Sequence, residues 1–262
     1  MLDGKVVLIS NFTAGLTARL AVEAAAIGAQ VVVTQRPGEK LQAALESLAE
    51  HDLPKPVACF PADPRKTDEC RWVVQQTLAK FGQVDALIAG AGGELGVLGP
   101  VESADLNSWR ALMEENFFAA LTIIQEVLPH MKERRAGRIV TLNAVAARKP
   151  IAGYAGFAAS KAALASVTGY LASECGRWGI GVNSVFLGWV WGSATADRFK
   201  HLAAELGTTV AKLKSDITEG IPVGYIPEED DCARAILLML TDSAAVVTGA
   251  SLDISGGEFI PL

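Results

Sequence analysis

The stretch Val6-Val7-Leu8-Ile9-Ser10-Asn11-Phe12-Thr13-Ala14-Gly15-Leu16-Thr17-Ala18 reads as a short apolar run, a turn and the start of an alanine-rich segment. The run Val6–Ser10 is too short for a helix and has the apolar content of a strand buried on both faces. Gly15 opens a helical stretch that continues to Ile27. A strand that feeds a helix through a tight turn is half of a crossover unit, and repeated units of this kind build a parallel sheet.

The alternation continues along the chain. Further strands are expected at Gln30–Thr34, Val57–Ala62, Ala86–Ala89, Arg138–Leu142, Val182–Phe186 and Ser251–Ile254. Helices are expected at Glu39–Glu50, Thr67–Phe81, Leu106–Met131 and Tyr154–Trp178. No repeat, linker or low-complexity tract interrupts residues 1–262, so a single α/β domain is expected, a doubly wound parallel sheet of seven strands with helices on both faces. The segment 189–227 is the least periodic and carries Trp189, Trp191, His201 and Tyr225, which reads as a mobile flap over a ligand cleft.

Composition removes several classes of function. The net charge of −6 is dispersed, which argues against nucleic acid or a membrane surface as partner. Half of the residues are apolar and 20% are charged, a balance that favours apolar surface buried between subunits. The start Met1-Leu2-Asp3-Gly4-Lys5 has no charged region followed by an apolar one, and a cytoplasmic protein is expected. Cys59, Cys70, Cys175 and Cys232 form no paired motif, and His51, His130 and His201 lack ligand spacing, so reduced thiols and no metal site are expected.

Two places are built for chemistry in outline only. The turn Ser10–Thr17 keeps one glycine, Gly15; Asn11 is tolerant of the left-handed region, whereas the β-branched Thr17 crowds the space beside the helix start. Further on, the strand Gly137-Arg138-Ile139-Val140 precedes Gly153-Tyr154-Ala155-Gly156-Phe157-Ala158-Ala159-Ser160-Lys161, in which a phenylalanine without an exchangeable proton stands four residues before a lysine.

Together these segments resemble the short-chain dehydrogenase/reductase (SDR) family, a Rossmann-like fold, over essentially the whole chain. The ending Val247-Thr248-Gly249-Ala250-Ser251-Leu252-Asp253-Ile254-Ser255-Gly256-Gly257 is similar to the family's V-T-G-x-x-L-x-V-D-G-G. The resemblance implies a catalytic framework at Asn116, Ala144, Phe157 and Lys161. Asn116 and Lys161 match the family's asparagine and lysine, while its serine and tyrosine, the groups that hydrogen-bond the substrate oxygen, are replaced by Ala144 and Phe157.

It also implies a dinucleotide site at Asn11, Gly15, Thr17, Asp63, Ala89, Gly92, Leu187 and Gly192. The family's T-G-x-x-x-G-x-G, N-N-A-G and P-G-x-V-x-T are eroded there to Ser10–Thr17, Ala89-Gly90-Ala91-Gly92 and Leu187–Gly192. Asp63 matches the adenine-binding aspartate, with Pro64 beside it. Thr34-Gln35-Arg36 offers no carboxylate to the ribose of NAD, and Arg36 reads as a solvated arginine or as a group to meet a 2′-phosphate. Tyr154 lies one turn from the required place and Asn143 on the wrong face of its strand, so neither replaces the lost hydroxyls.

Loss of a positioned acid/base costs roughly 10²–10⁴ in rate and loss of an oxyanion donor roughly 10²–10³. The expectation is therefore a non-catalytic SDR subunit with no cofactor of its own, assembled with an active SDR paralogue in a heterodimer or heterotetramer. NAD is expected on that partner, and a hydroxyacyl-CoA as the substrate of the complex. Within the family the pattern is similar to inactive subunits of dehydrogenases that oxidise 2-[hydroxy(phenyl)methyl]succinyl-CoA in toluene degradation. The helix Tyr154–Trp178, with small residues at Ala158, Ala162, Ala165, Ser166 and Gly169, supplies an assembly face by the same resemblance. Two other readings stay open: a nicotinamide-independent lyase or isomerase built on Lys161, Asn116 and Tyr154, and a homomeric metabolite-binding regulator.

Overall fold

The computed structural model describes residues 1–90, 96 and 98–261. Its sheet contains β1 (Val6–Ile9), β2 (Gln30–Val33), β3 (Ala58–Cys59), β4 (Ala86–Ala89), β5 (Gly137–Ala144), β6 (Ile180–Leu187) and β7 (Ser251–Ile254). The order is β3-β2-β1-β4-β5-β6-β7 and the paired strands run parallel. This is the doubly wound arrangement, which reverses direction between β1 and β4 and places a crevice at the carboxyl ends of those strands.

The central strands β1 and β4 are apolar on both faces because each face is covered by helices. One cluster packs α1 (Leu16–Ala26), α2 (Glu39–Ala49) and α9 (Glu229–Leu238) on β1, β2 and β4 through residues such as Val7, Ile9, Leu20, Val33 and Ile236. The other packs α3 (Thr67–Phe81), α5 (Ala119–Arg134) and α6 (Ala155–Cys175) on the opposite face through Leu8, Val73, Ile124, Ile139 and Leu164.

Three expectations need correction, and one helix was not expected at all. The strand expected over Val57–Ala62 is regular only at Ala58–Cys59, because Pro61 has no amide hydrogen; Phe60 and Ala62 still donate to Val33 and Gln35 of the β2 edge. The helix expected over Leu106–Met131 is broken into α4 (Leu106–Met113), a π turn at Glu114–Phe118 and α5, which runs on to Arg134. The aperiodic segment 189–227 contains α7 (Ser193–Glu205) and α8 (Val210–Glu219), folded around a small cluster of Phe199, Ile221 and Ile226 with Trp189 and Trp191 against it. Helix α9 was not anticipated, although its acidic first turn, Glu229, Asp230 and Asp231, precedes buried Cys232, Ala233, Ile236 and Leu237 at helical spacing.

Candidate active site and cofactor cleft

β5 and α6 bring the catalytic framework together. Asn116 lies in the π turn, fully buried, and donates from Nδ2 to Ser160 Oγ at 3.0 Å; Ser160 Oγ in turn donates to the Phe157 carbonyl at 2.7 Å. The Asn116 Oδ1 atom is buried without a hydrogen-bond partner. Lys161 is buried one turn beyond Phe157 and donates to the Leu142 carbonyl at 3.1 Å, with the Phe157 ring centre 5.5 Å from its Nζ. Burial in apolar surroundings pulls the lysine down from 10.5 to about 7. Ala144 ends β5 with a methyl group where the family places its serine.

Neither nearby polar group takes over. Tyr154 caps the start of α6, and its hydroxyl accepts a hydrogen bond from Arg198 Nη2 of α7 at 2.7 Å. Asn143 is buried on the other face of β5 and donates to Thr141 Oγ1 and Ser184 Oγ at 3.2 and 3.1 Å. The site therefore holds a lysine, an amide and two apolar replacements, with no side-chain hydroxyl at the two positions that would polarise a carbonyl.

Along the cofactor cleft three of the groups expected to meet a dinucleotide, Asn11, Thr17 and Asp63, are engaged within the chain. Asn11 adopts φ 50°, the left-handed conformation anticipated for it, and its Nδ2 donates to the Gly90 carbonyl at 2.8 Å. Thr17 Oγ1 accepts from the Thr13 amide at 2.8 Å and donates to the Thr13 carbonyl at 2.9 Å, so the turn is closed by its own threonine. Gly15 caps α1 at φ 96° without a side-chain hydrogen bond, and α1 has no acid in its first turn.

Asp63 is gripped by Arg65, whose Nε and Nη2 reach its two carboxylate oxygens at 2.9 and 2.6 Å. The Arg65 hydrogen bond holds this carboxyl below the usual carboxylate range. The Asp63 amide donates to Glu69 Oε2 at 2.6 Å. Arg36 is not solvated alone: it pairs with Glu115 at 3.1 Å, and Arg65 Nη1 reaches the same oxygen at 3.2 Å. Asp63, Arg65, Glu115 and Arg36 thus form a strap from the ends of β2 and β3 to the π turn. Sequence reasoning missed Arg65 and Glu115, because nothing in their spacing marks an ion pair between residues fifty positions apart.

Beyond β4, Ala89 is the last strand residue, and Gly92 lies outside the described residues. Beyond β6, Leu187 ends the strand and the Trp189 amide donates to Glu258 Oε2 at 3.2 Å. The loop then pairs with the start of α9: the Trp191 amide donates to the Pro227 carbonyl at 2.7 Å, and the Glu229 amide to the Trp191 carbonyl at 3.2 Å. This pairing carries the Glu229 carboxylate between Gly15 and Gly192. A methyl group on Gly15 would meet Glu229 Oε1 at 2.9 Å, and one on Gly192 would overlap it. Burial pushes the Glu229 carboxyl up, against a smaller opposing pull from Arg19.

A dinucleotide needs free amides and an open, anion-accepting helix start in this cleft. The residues present do not fit it: a closed threonine turn, a capped aspartate and a carboxylate at the helix start stand in its path. Among the described residues no cluster of His, Cys, Asp or Glu is arranged to hold a metal, and no helix is long and apolar enough to cross a membrane.

Comparison with known proteins gives a consistent picture. The chain is 27% identical over 258 residues to the 3-oxoacyl-[acyl-carrier-protein] reductase of Escherichia coli, covering 98% of both chains. It is 29% identical over 262 residues to the D-threitol dehydrogenase of Mycolicibacterium smegmatis, covering 99% of this chain and 94% of that protein. The crystal structure of levodione reductase superimposes with a TM-score of 0.89 at 26% identity, covering 98% of each chain. NAD+-bound xylitol dehydrogenase shares the fold, with a TM-score of 0.87 at 21% identity and coverage of 98% of this chain and 99% of that one. The family model for short chain dehydrogenases matches residues 5–203, and the chain belongs to that family.

Proposed function

We propose that this chain is a non-catalytic member of the short-chain dehydrogenase family that works as a subunit beside an active paralogue. The observation that carries the reading is the pair Ala144 and Phe157 at the two hydroxyl positions beside a retained Lys161. With Ala144 and Phe157 there, neither of the two positions carries a hydroxyl to take or give the proton that accompanies hydride transfer. The internally engaged cleft supports the same reading: this chain carries no nicotinamide cofactor, and NAD resides on the partner.

Assembly is supported by the surface. The small residues Ala162, Ser166 and Gly169 of α6 are exposed, with Tyr170 beside them 69% exposed, and Gly169 has open space at its missing side chain. β7 is an edge strand, and Val246 just before it is 93% exposed. Unpaired strand edges and contiguous apolar surface call for a covering partner. The complex oxidises a hydroxyacyl-CoA, with 2-[hydroxy(phenyl)methyl]succinyl-CoA as the candidate substrate, and the paralogue performs the chemistry.

Native mass spectrometry of the tagged chain recovered from its own host tests this reading. The expected result is a mixed dimer or tetramer containing a tyrosine-bearing family member of similar mass, with all bound dinucleotide on that subunit. A homo-oligomer carrying nicotinamide on this chain overturns it.

A further inference from the structure

Glu229 is a cleft residue that neither the family motifs quoted above nor the packing of α9 accounts for. Acids in the first turn of a helix are favoured by its dipole, and Asp230 and Asp231 meet that description while pairing with Arg19 and Arg234. Glu229 alone of the three is directed into the space between two glycines.

We propose, resting on the reading that this chain carries no nicotinamide cofactor, that Glu229 is the residue that fills the pyrophosphate seat of the cleft: its carboxylate takes the place of a dinucleotide pyrophosphate at the start of α1 and excludes anionic nucleotides. Three observations converge on it. The start of α1 is a seat for negative charge, and the helix supplies no acid of its own there. The seat is shaped by absent side chains, since a methyl group on Gly15 would come within 2.9 Å of Glu229 Oε1 and any side chain at Gly192 would displace the carboxylate. The family resemblance puts threonine at the position of Gly192, so the loss of that side chain and the presence of Glu229 are complementary.

The helix start that carries the carboxylate is also held in place. Its backbone is fixed by the pairing of Trp191 with Pro227 and Glu229, and α9 is tied to α1 through Arg19 with Asp230 and through Arg234 with Glu23 at 3.5 Å. A nucleotide entering this seat has to displace a charge of its own sign, and like charges placed together repel.

The test is equilibrium titration of NADH, read by its fluorescence, into the wild-type chain and into Glu229→Ala, Glu229→Gln and Gly192→Thr. Thermal melts establish that each variant is folded. Wild type is expected to show no saturable binding. Glu229→Ala and Gly192→Thr should tighten NADH binding by about tenfold or more, by two independent routes to an open seat, and Glu229→Gln, which removes charge but keeps bulk, by less. If folded Glu229→Ala and Gly192→Thr remain as unreceptive as wild type, the role given to Glu229 is wrong while the cofactor-free reading survives. Wild type binding NADH as tightly as Glu229→Ala overturns both. If Gly192→Thr does not fold, the alanine and glutamine variants decide.

Discussion

Lys161 Nζ stands 5.5 Å from the centre of the Phe157 ring and gives its hydrogen bond to the Leu142 carbonyl. A lysine in this position otherwise assists a neighbouring hydroxyl, by favouring its ionised form through charge. Beside a phenyl ring it has nothing to activate. Its remaining role in the described structure is to tie α6 to β5.

Returning the hydroxyls is therefore not expected to return the activity. Phe157→Tyr combined with Ala144→Ser changes two side chains by one oxygen each and should leave the fold intact. NADH formation from a hydroxyacyl-CoA, followed by absorbance, should stay at the background of the buffer, because the cleft that would deliver the cofactor is still closed by Thr17, Arg65 and Glu229. Robust NAD-dependent turnover by the double variant would show that the cleft is open and that only the hydroxyls were missing.

Lys161 itself makes a prediction about pH. Its folded value, about 7, lies below the ordinary 10.5, and the cause is burial; the bond to Leu142 O favours the charged form and moderates the effect without reversing its direction. Between pH 7 and 10.5 the folded lysine sheds its proton while the unfolded one keeps it. The unfolded state then binds more protons, so stability rises with pH across that window, and below pH 7 the full cost of burying the ammonium is present. Lys161→Met should be more stable than wild type near pH 6, by up to a few kcal/mol, about 1.4 kcal/mol for each unit by which the value is lowered. The advantage should shrink steadily toward pH 10 in urea unfolding series. A gap independent of pH would mean that the ammonium is solvated.

How much of this was legible in the sequence follows the range of the interactions. β4, β7 and α3 appear at the residues where apolar runs and helical spacing put them; for β4, burial on both faces of a parallel sheet writes directly into composition. The eroded positions Asn11, Thr17, Ala144 and Phe157 were readable one at a time, as residue types at motif spacing. What replaces the lost contacts was not readable. The Arg65 grip on Asp63 is local, but Glu115 joins it from fifty residues away, and Glu229 reaches Gly15 only because Trp191 pairs with the start of α9. The two helices within 189–227 were obscured because they pack on a small cluster of their own and present few buried positions: Phe199 and Ala203 in α7, none in α8.

The edge of the sheet offers a last and separate test. Arg148, just past β5, donates from Nη1 to both oxygens of Asp253 in β7, at 3.0 and 2.8 Å, and its guanidinium lies 3.4 Å over the Phe186 ring of β6. One side chain thus joins three neighbouring strands at the β7 edge of the sheet. Exposed ion pairs contribute up to about 1 kcal/mol, whereas breaking a buried one costs about 3–5 kcal/mol. With the Arg148 side chain 22% exposed and that of Asp253 12%, Arg148→Ala should lie between these limits, at about 2 kcal/mol in urea unfolding. Arg148→Lys should recover only part of the loss, because an ammonium has no planar face to lay on Phe186. Asp253→Asn in the Arg148→Ala background should cost little more, since the carboxylate left behind is what makes the first change expensive. If Arg148→Ala alone costs less than about 0.5 kcal/mol, the pair is a solvated surface contact and β7 is held by its backbone ladder to β6 without it.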